Sequence, residues 1–332
     1  FRVVARLLDR YRMPAPGGGE LPFLGGAVGY FSYDLRHSIE RMGPRVHCEP
    51  DVPDFMLGFY DHALVFDHQQ GVTHRVSRGR APDLPEPGNG GEMPVSPVTL
   101  QSDFTAGAYV AAVQRARDYI AAGDIFQVNL SQRFEGECSS SGLAVYSRLR
   151  RVNPAPYAAY LAPGELEIMS SSPEQFLLLD GDMVTTRPIK GTRPRRRDDP
   201  EFNRKMAAEL LASEKDRSEL AMIVDLERND LGRTCAYGTV RVTEHAALEE
   251  HPTVFHLVSH VTGRLHRSEQ DAMSLLRGAF PGGSITGAPK IRAMEIIDEL
   301  ELHARGVYTG AIGYASFHGR MDLNIAIRTL VR

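Results

Sequence analysis

One lysine, Lys190, sits between two prolines and among arginines in the stretch Arg187-Pro188-Ile189-Lys190-Gly191-Thr192-Arg193-Pro194-Arg195. Pro188 and Pro194 fix φ and withdraw two backbone donors, so the stretch is neither helix nor central strand. Gly191 lets the backbone turn or approach a ligand closely. Fixed cations around an amine disfavour its protonated form, which would make Lys190 a better nucleophile. The same composition also describes a solvated basic loop. Upstream, Ser171-Ser172-Pro173-Glu174 supplies a carboxyl. Between the two lie an apolar run at 176–179, a turn signal at Asp180-Gly181-Asp182 and a β-prone return at 183–186, which together read as a hairpin. Folding there brings Glu174 toward Lys190, since paired residues have Cβ atoms roughly 5 Å apart. An amine and a carboxyl presented together suit acid–base or nucleophilic chemistry, and equally an ordinary cross-strand ion pair.

A second acidic group lies downstream. Ser213-Glu214-Lys215-Asp216 starts a helix, and Asp216 and Glu219 share one of its faces. Two carboxylates at that spacing could hold Mg²⁺, which commonly takes one or two from protein. A capping box between Ser213 and Asp216 accounts for the aspartate without a metal. His251, His256 and His260 do not match HExxH. On a strand, His256 and His260 point the same way, in a core or surface role. The loop Pro281-Gly282-Gly283-Ser284-Ile285-Thr286-Gly287-Ala288-Pro289-Lys290 opens a helix. It has the glycine content of a P-loop without its spacing, and could cradle a carboxylate or phosphate.

Several elements must position these groups. Residues 1–11 read as an amphipathic helix. Residues 21–34 are glycine-rich and aromatic but lack GxGxxG, so close strand packing is expected rather than dinucleotide binding. Residues 55–67 read as a buried strand pair, and residues 77–98 as a mobile Pro/Gly-rich linker. That linker divides an N-terminal part, 1–98, from a catalytic part, 99–332. A helix follows Asp103 or Thr105, with Tyr109, Val113, Ala116 and Ile120 as its buried stripe and Gly123 at its end. Residues 126–134 alternate, placing Gln127, Asn129, Ser131 and Arg133 on a face that meets solvent or lines a polar pocket. Helices are expected at 141–152 and from Asp199-Pro200 onward. Two apolar strands at 307–317 and 323–331 carry Tyr308 and Arg328. Hairpins alternate with helices, which favours an α+β fold with large antiparallel sheets.

Composition excludes several classes. With 332 residues, 42% hydrophobic and 24% charged, the chain can bury a sizeable core. A formal net charge of −4 argues against general nucleic-acid binding. No apolar run approaches the roughly 20 residues of a membrane span. Cys48, Cys138 and Cys235 show no CxxC spacing and read as free thiols of a reducing, cytoplasmic compartment. Phe1 falls inside a helical pattern and Arg332 directly after a strand, as expected for a piece of a longer protein.

Nine stretches, in order, resemble the chorismate-utilising enzymes: GDIFQVNLSQRF, NPAPYAAYL, SSPEQFL, TRPIKGTRPR, SEKDRSELAMIVDLERNDLGR, VFHLVSHVTG, PGGSITGAPKIRAME, YTGAIGYASF and IAIRT. The resemblance implies two large antiparallel sheets packed as a sandwich, with helices outside and the site in a cleft beside it. The PIKGT form is similar to the branch that makes aminodeoxychorismate for p-aminobenzoate and folate. The ortho-aminating anthranilate synthases, a second possible branch, have alanine at the Lys190 position. Glu174 then matches the acid for departure of the C4 hydroxyl, and Lys190 the nucleophile that adds at C2. His256 matches the histidine beside the ring hydroxyl, and Gly191, Thr192, Ser284, Tyr308 and Arg328 match substrate-binding positions. Gln127 stands where isochorismate-type relatives carry a lysine base for water. Glu219, with Asp216 beside it, matches a Mg²⁺ ligand, the family's remaining metal glutamates falling beyond Arg328. Pro156 and Tyr157 match part of a tryptophan pocket. Ammonia is expected from a glutamine amidotransferase subunit, and neither nucleic acid nor membrane is an expected partner. A non-catalytic anion or nucleic-acid binder built on Arg187, Arg193, Arg195, Arg196 and Arg197 is the reading from another class.

Overall fold

Asp180 pairs with Met183 across the expected turn, so the hairpin forms where its residue types place it. The computed structural model describes residues 1–14, 21–43, 52–80, 83, 91 and 93–332. Helix α1 (Arg2–Arg10) is followed by strands β1 (Gly26–Phe31), β2 (Phe55–Tyr60), β3 (His62–Asp67) and β4 (Val72–Ser77). Then come β5 (Gln101–Ser102), α2 (Ala106–Ala122), β6 (Gln127–Val128), β7 (Phe134–Glu135), α3 (Gly142–Val152), β8 (Tyr157–Leu161) and β9 (Ile168–Ser172). The middle of the chain holds β10 (Gln175–Asp180), β11 (Met183–Arg187), β12 (Ile189–Pro194), α4 (Pro200–Ala212), α5 (Glu214–Gly232), β13 (Arg241–Glu250) and β14 (Val254–Arg264). It closes with α6 (Ala272–Ala279), β15 (Gly287–Ala288), α7 (Lys290–Leu300), β16 (Ala311–Ser316), β17 (Met321–Asn324) and β18 (Thr329–Val331).

The expected α+β architecture is present. A nine-stranded antiparallel sheet runs β2-β1-β16-β17-β10-β11-β14, with β12 and β13 also paired to β14. A smaller sheet has the order β18-β9-β8. Gly29 shows why the first sheet needs glycine: a Cβ there would lie 1.9 Å from the Met56 carbonyl oxygen. The main core fills the space between that sheet and the helices. Leu177, Leu179, Val184, Leu257, Val261 and Leu323 from the strands meet Leu210 of α4, Leu220, Val224 and Leu231 of α5, and Leu276 of α6. Each such side chain contributes about 1.5–3 kcal/mol by leaving water. A second cluster, Tyr30, Ile168, Val307, Ile312 and Ala326, joins the large sheet to the three-stranded one.

Four expectations need correction. Strands do occur at 55–60 and 62–67, but they are not a buried pair: β2 pairs with β1 and β3 with β4, and Phe55, Phe59, Tyr60, Leu64 and Phe66 stay exposed. On α2, Thr105 is the N-cap and Gly123 the left-handed cap, as expected. Of the expected stripe Ala116 is buried, with Ala112 beside it, and Tyr109 is half-buried, while Val113 and Ile120 meet solvent. The alternation at 126–134 is not one continuous strand, and its apolar side is split: Phe126 and Phe134 are exposed, while Val128 packs against the core. Residues 323–331 divide between two sheets, since Arg328 takes φ +51 and sends the chain from β17 to β18. Residues 81, 82, 84–90 and 92 of the linker expected at 77–98, and Cys48, lie outside the described residues.

Candidate active site

Lys190 is delivered by a break in a strand. β11 and β12 lie end to end along one side of β14, interrupted at Pro188, whose carbonyl accepts from the Ser259 amide at 3.2 Å. The register slips again between Lys190 and Thr192, at Gly191, where φ is +80. Such a bulge re-aims the side chains beside it. A Cβ on Gly191 would lie 2.9 Å from both the Cβ of Asp216 and the Cδ1 of Leu210, so α4 and α5 press directly on this strand. Lys190 leads into the interior, where its Nζ donates to the Ser284 carbonyl at 3.1 Å and lies 3.2 Å from Glu219 Oε1.

The neighbouring groups converge from four other elements. Glu174, immediately before β10, is buried and receives a hydrogen bond from the Ile189 amide. The Ser284 hydroxyl, from the glycine loop before β15, also reaches this carboxyl. Gln127 of β6 donates from Nε2 to Glu219 Oε1 at 2.9 Å, which fixes the amide and leaves its Oε1 buried without a hydrogen bond. Gln127, on the polar side of the 126–134 segment, therefore lines a pocket, although periodicity alone favoured a solvent-exposed face. His256, opposite Thr192 across the β12–β14 pair, places Nδ1 3.0 Å from the Thr192 hydroxyl.

Burial sets the protonation of the two titrating groups. It pushes the Glu174 carboxyl up to about 7, against the Ser284 hydrogen bond and the Lys190 ammonium. A proton is thus available near neutrality for a leaving oxygen. Burial lowers His256 to about 4, helped by His251 and by the Arg328 guanidinium, so this ring is neutral.

The expected cationic surroundings of Lys190 are absent. Arg187 is paired with Glu249 and hydrogen-bonds His260, while Arg193 donates to Glu209 at 2.8 Å and lies 3.4 Å from Asp216. The charge nearest Lys190 is the Glu219 carboxylate. Arg195 pairs with Glu250 and Arg196 with Asp199, so four of the five arginines of the proposed anion cluster are already neutralised. The capping box is also half made. Ser213 accepts from the Asp216 amide at 3.3 Å, but the Asp216 carboxylate faces Arg193 instead of returning to the cap.

Asp216 and Glu219 do lie on one face of α5 beside β12. Among the described residues, no group of three His, Cys, Asp or Glu side chains could enclose a metal. Two carboxylates fit Mg²⁺ only as an open site whose other ligands are substrate and water. Tyr308 lies half-buried in the turn before β16 rather than on a strand, and Arg328 is exposed with Nη1 3.3 Å from Asn153 Oδ1. Tyr157 hydrogen-bonds Arg187, and Pro156 beside it is exposed.

Five ionic side chains turned inward were not legible in the sequence. Glu227 and Asp230 lie on the inner face of α5, where Thr186 donates to Glu227 at 2.9 Å. Their positions continue the stripe of Leu220, Ile223, Val224 and Leu231, the one signal that could have found them. Lys290 Nζ is closed off by Asp230 Oδ2 at 2.6 Å and by the Ala279 and Pro281 carbonyls at 2.8 Å each. The lysine that opens the glycine loop's helix is therefore spent on internal partners. Arg305 and Glu301, buried at the end of α7 and beyond it, had no periodic signal at all.

The profile of the chorismate binding enzyme family matches residues 5–332. Anthranilate synthase component 1 of Thermus thermophilus is 44% identical over 340 residues, covering 98% of this chain and 73% of that protein. Aminodeoxychorismate synthase component 1 of Escherichia coli is 43% identical over 338 residues, covering 99% and 74%. The crystal structure of anthranilate synthase component I from Streptococcus pneumoniae superposes with TM-score 0.87 at 35% identity, over 98% of this chain and 77% of that one.

Proposed function

The chain belongs to the chorismate binding enzymes, and from that membership we propose that it is component I of an aminodeoxychorismate synthase. Relatives of both the ortho- and para-aminating kinds stand at nearly equal identity, so overall similarity supports amination of chorismate without choosing the position. The observation that carries the para reading is Lys190 inside the pocket, its Nζ 3.1 Å from the Ser284 carbonyl and its side chain 15% exposed.

In this reading the Lys190 ammonium first gives up a proton to solvent, and the amine then adds to C2 of the ring. Both ring double bonds shift, the C4–O bond breaks, and the proton of Glu174 leaves with the hydroxyl as water. Ammonia then forms a bond to C4, the double bonds shift back, and the C2–N bond to Lys190 breaks. Glu174 regains its proton from solvent, so chorismate and ammonia give the 4-amino product and water. Thr192, His256 and Arg328 hold the ring and its carboxylates. Gln127 offers its unpaired oxygen to an N–H of the incoming amine and carries no base for water. Mg²⁺ held by Glu219 and Asp216 would neutralise the ring carboxylate, and a glutamine amidotransferase subunit would supply the ammonia.

The test is the aromatic product formed from chorismate and ammonium salt, with a coupled lyase to release pyruvate. p-Aminobenzoate is the expected product. o-Aminobenzoate would replace this reading with anthranilate synthesis.

A further inference from the structure

We infer that Arg305 is a positioning residue for the chorismate pocket, one guanidinium that fixes three pocket-lining segments relative to each other. An arginine has five N–H donors in a rigid plane, and here five contacts occupy them. Nε donates to Glu301 Oε2 at 2.9 Å. Nη1 donates to the Ile285 carbonyl at 3.0 Å and to the Thr309 hydroxyl at 3.3 Å. Nη2 donates to the Asn129 carbonyl at 2.5 Å and to Glu301 Oε1 at 2.6 Å.

Two of the three non-acidic partners are one or two residues from a pocket group, Ile285 following Ser284 and Asn129 lying two beyond Gln127; the third, Thr309, follows Tyr308, which the resemblance assigns to substrate binding. Glu301 extends the clamp, because its Oε1 also accepts from the Ser131 amide and hydroxyl at 2.8 Å each. The guanidinium lies 4.8 Å from the centre of the Tyr33 ring, which closes its other side. Thr309 takes φ +60, a conformation that persists in a non-glycine residue only where its surroundings impose it.

A buried ion pair adds little net stability, since desolvation offsets the attraction. What five simultaneous bonds supply is fixed geometry between segments far apart in sequence. Displacement of reacting groups by about 1 Å can cost on the order of 10²-fold in rate.

This inference rests on the pocket being the amination site, so the test has one arm that does not. Arg305→Lys keeps the charge and loses the fork. In the full-length protein, with rates normalised to the folded fraction, kcat/KM for chorismate with ammonium salt should fall on the order of 10²-fold. A merely structural role would lower the melting temperature and leave normalised kcat and KM within about twofold of the parent, which overturns the inference. In the second arm, hydrogen exchange should rise together at 127–131, 283–286 and 308–310. A rise confined to the surroundings of residue 305, or none, overturns it even if the parent proves inactive on chorismate, the result that would instead refute amination. Should Arg305→Lys not fold, Ser131→Ala at a half-buried position decides. Faster exchange at 308–310, which is linked to Ser131 through Glu301 and Arg305, supports the clamp, and unchanged exchange there removes it.

Discussion

Glu174 illustrates how one burial serves chemistry at the expense of stability. Its folded-state value of about 7 lies above the ordinary 4.5, so the folded protein holds this proton more tightly than the unfolded chain does. Stability from this group is therefore complete below about pH 4.5 and is lost as pH rises through about 7, a difference of about 3 kcal/mol. Glu174→Gln should raise the melting temperature near pH 8, leave it unchanged near pH 4, and lose on the order of 10²–10⁴-fold in kcat. A melting temperature at pH 8 equal to the parent's would refute the burial argument. Lys190→Ala should still bind chorismate, lose most turnover, and lose the mass adduct that forms on Lys190 when ammonia is withheld. Unchanged turnover with the same product would mean that ammonia attacks directly. The partnership of Glu174 and Lys190 was legible because a turn signal and two β-prone arms sit between them. The charges around Lys190 were not, because Glu249, Glu209 and Glu219, which settle them, come from elements far along the chain.

At the scale of elements, the β12 bulge and the face of α5 are one device. Gly191→Ala would force a Cβ to within 2.9 Å of Asp216 and into an unfavourable φ. The expected cost is about 1–3 kcal/mol, readable by chemical denaturation, with a loss of turnover because Lys190 no longer points at Ser284. Glu219→Ala should lose activity that excess Mg²⁺ restores only in part; parental turnover would show that Glu219 does no more than face Lys190 and Gln127. Helix α5 was legible from its cap and its carboxylate spacing. The burial of α2 was legible only in part, since the apolar spacing found Ala116 but also pointed to Val113 and Ile120, which meet solvent, and missed Ala112. Residues 323–331 misled for a related reason. Their apolar run shows strand preference, but only the left-handed turn at Arg328 assigns its two ends to different sheets.

Across the whole molecule, hairpins between helices were enough to give the antiparallel α+β class, while strand order was set by contacts no local pattern reports. The junction of the two sheets rests on few side chains. Ile168→Ala, at a fully buried site, should cost about 2–5 kcal/mol in chemical denaturation, and a cost below about 1 kcal/mol would mean that the sheets do not depend on that cluster. The balance of basic groups has a practical consequence. All but four of the 38 lysines and arginines are arginine, and of those four lysines Lys290 is sealed by three acceptors while Lys205 and Lys215 lie exposed on α4 and α5. Only Lys190 presents a primary amine to an enclosed polar pocket. Trypsin cuts poorly before proline, so Arg187 and Arg193 are protected by Pro188 and Pro194, and Lys190 is the one efficient cleavage point between them. An enzyme caught with its substrate attached would announce it as a single missed cut at that bond.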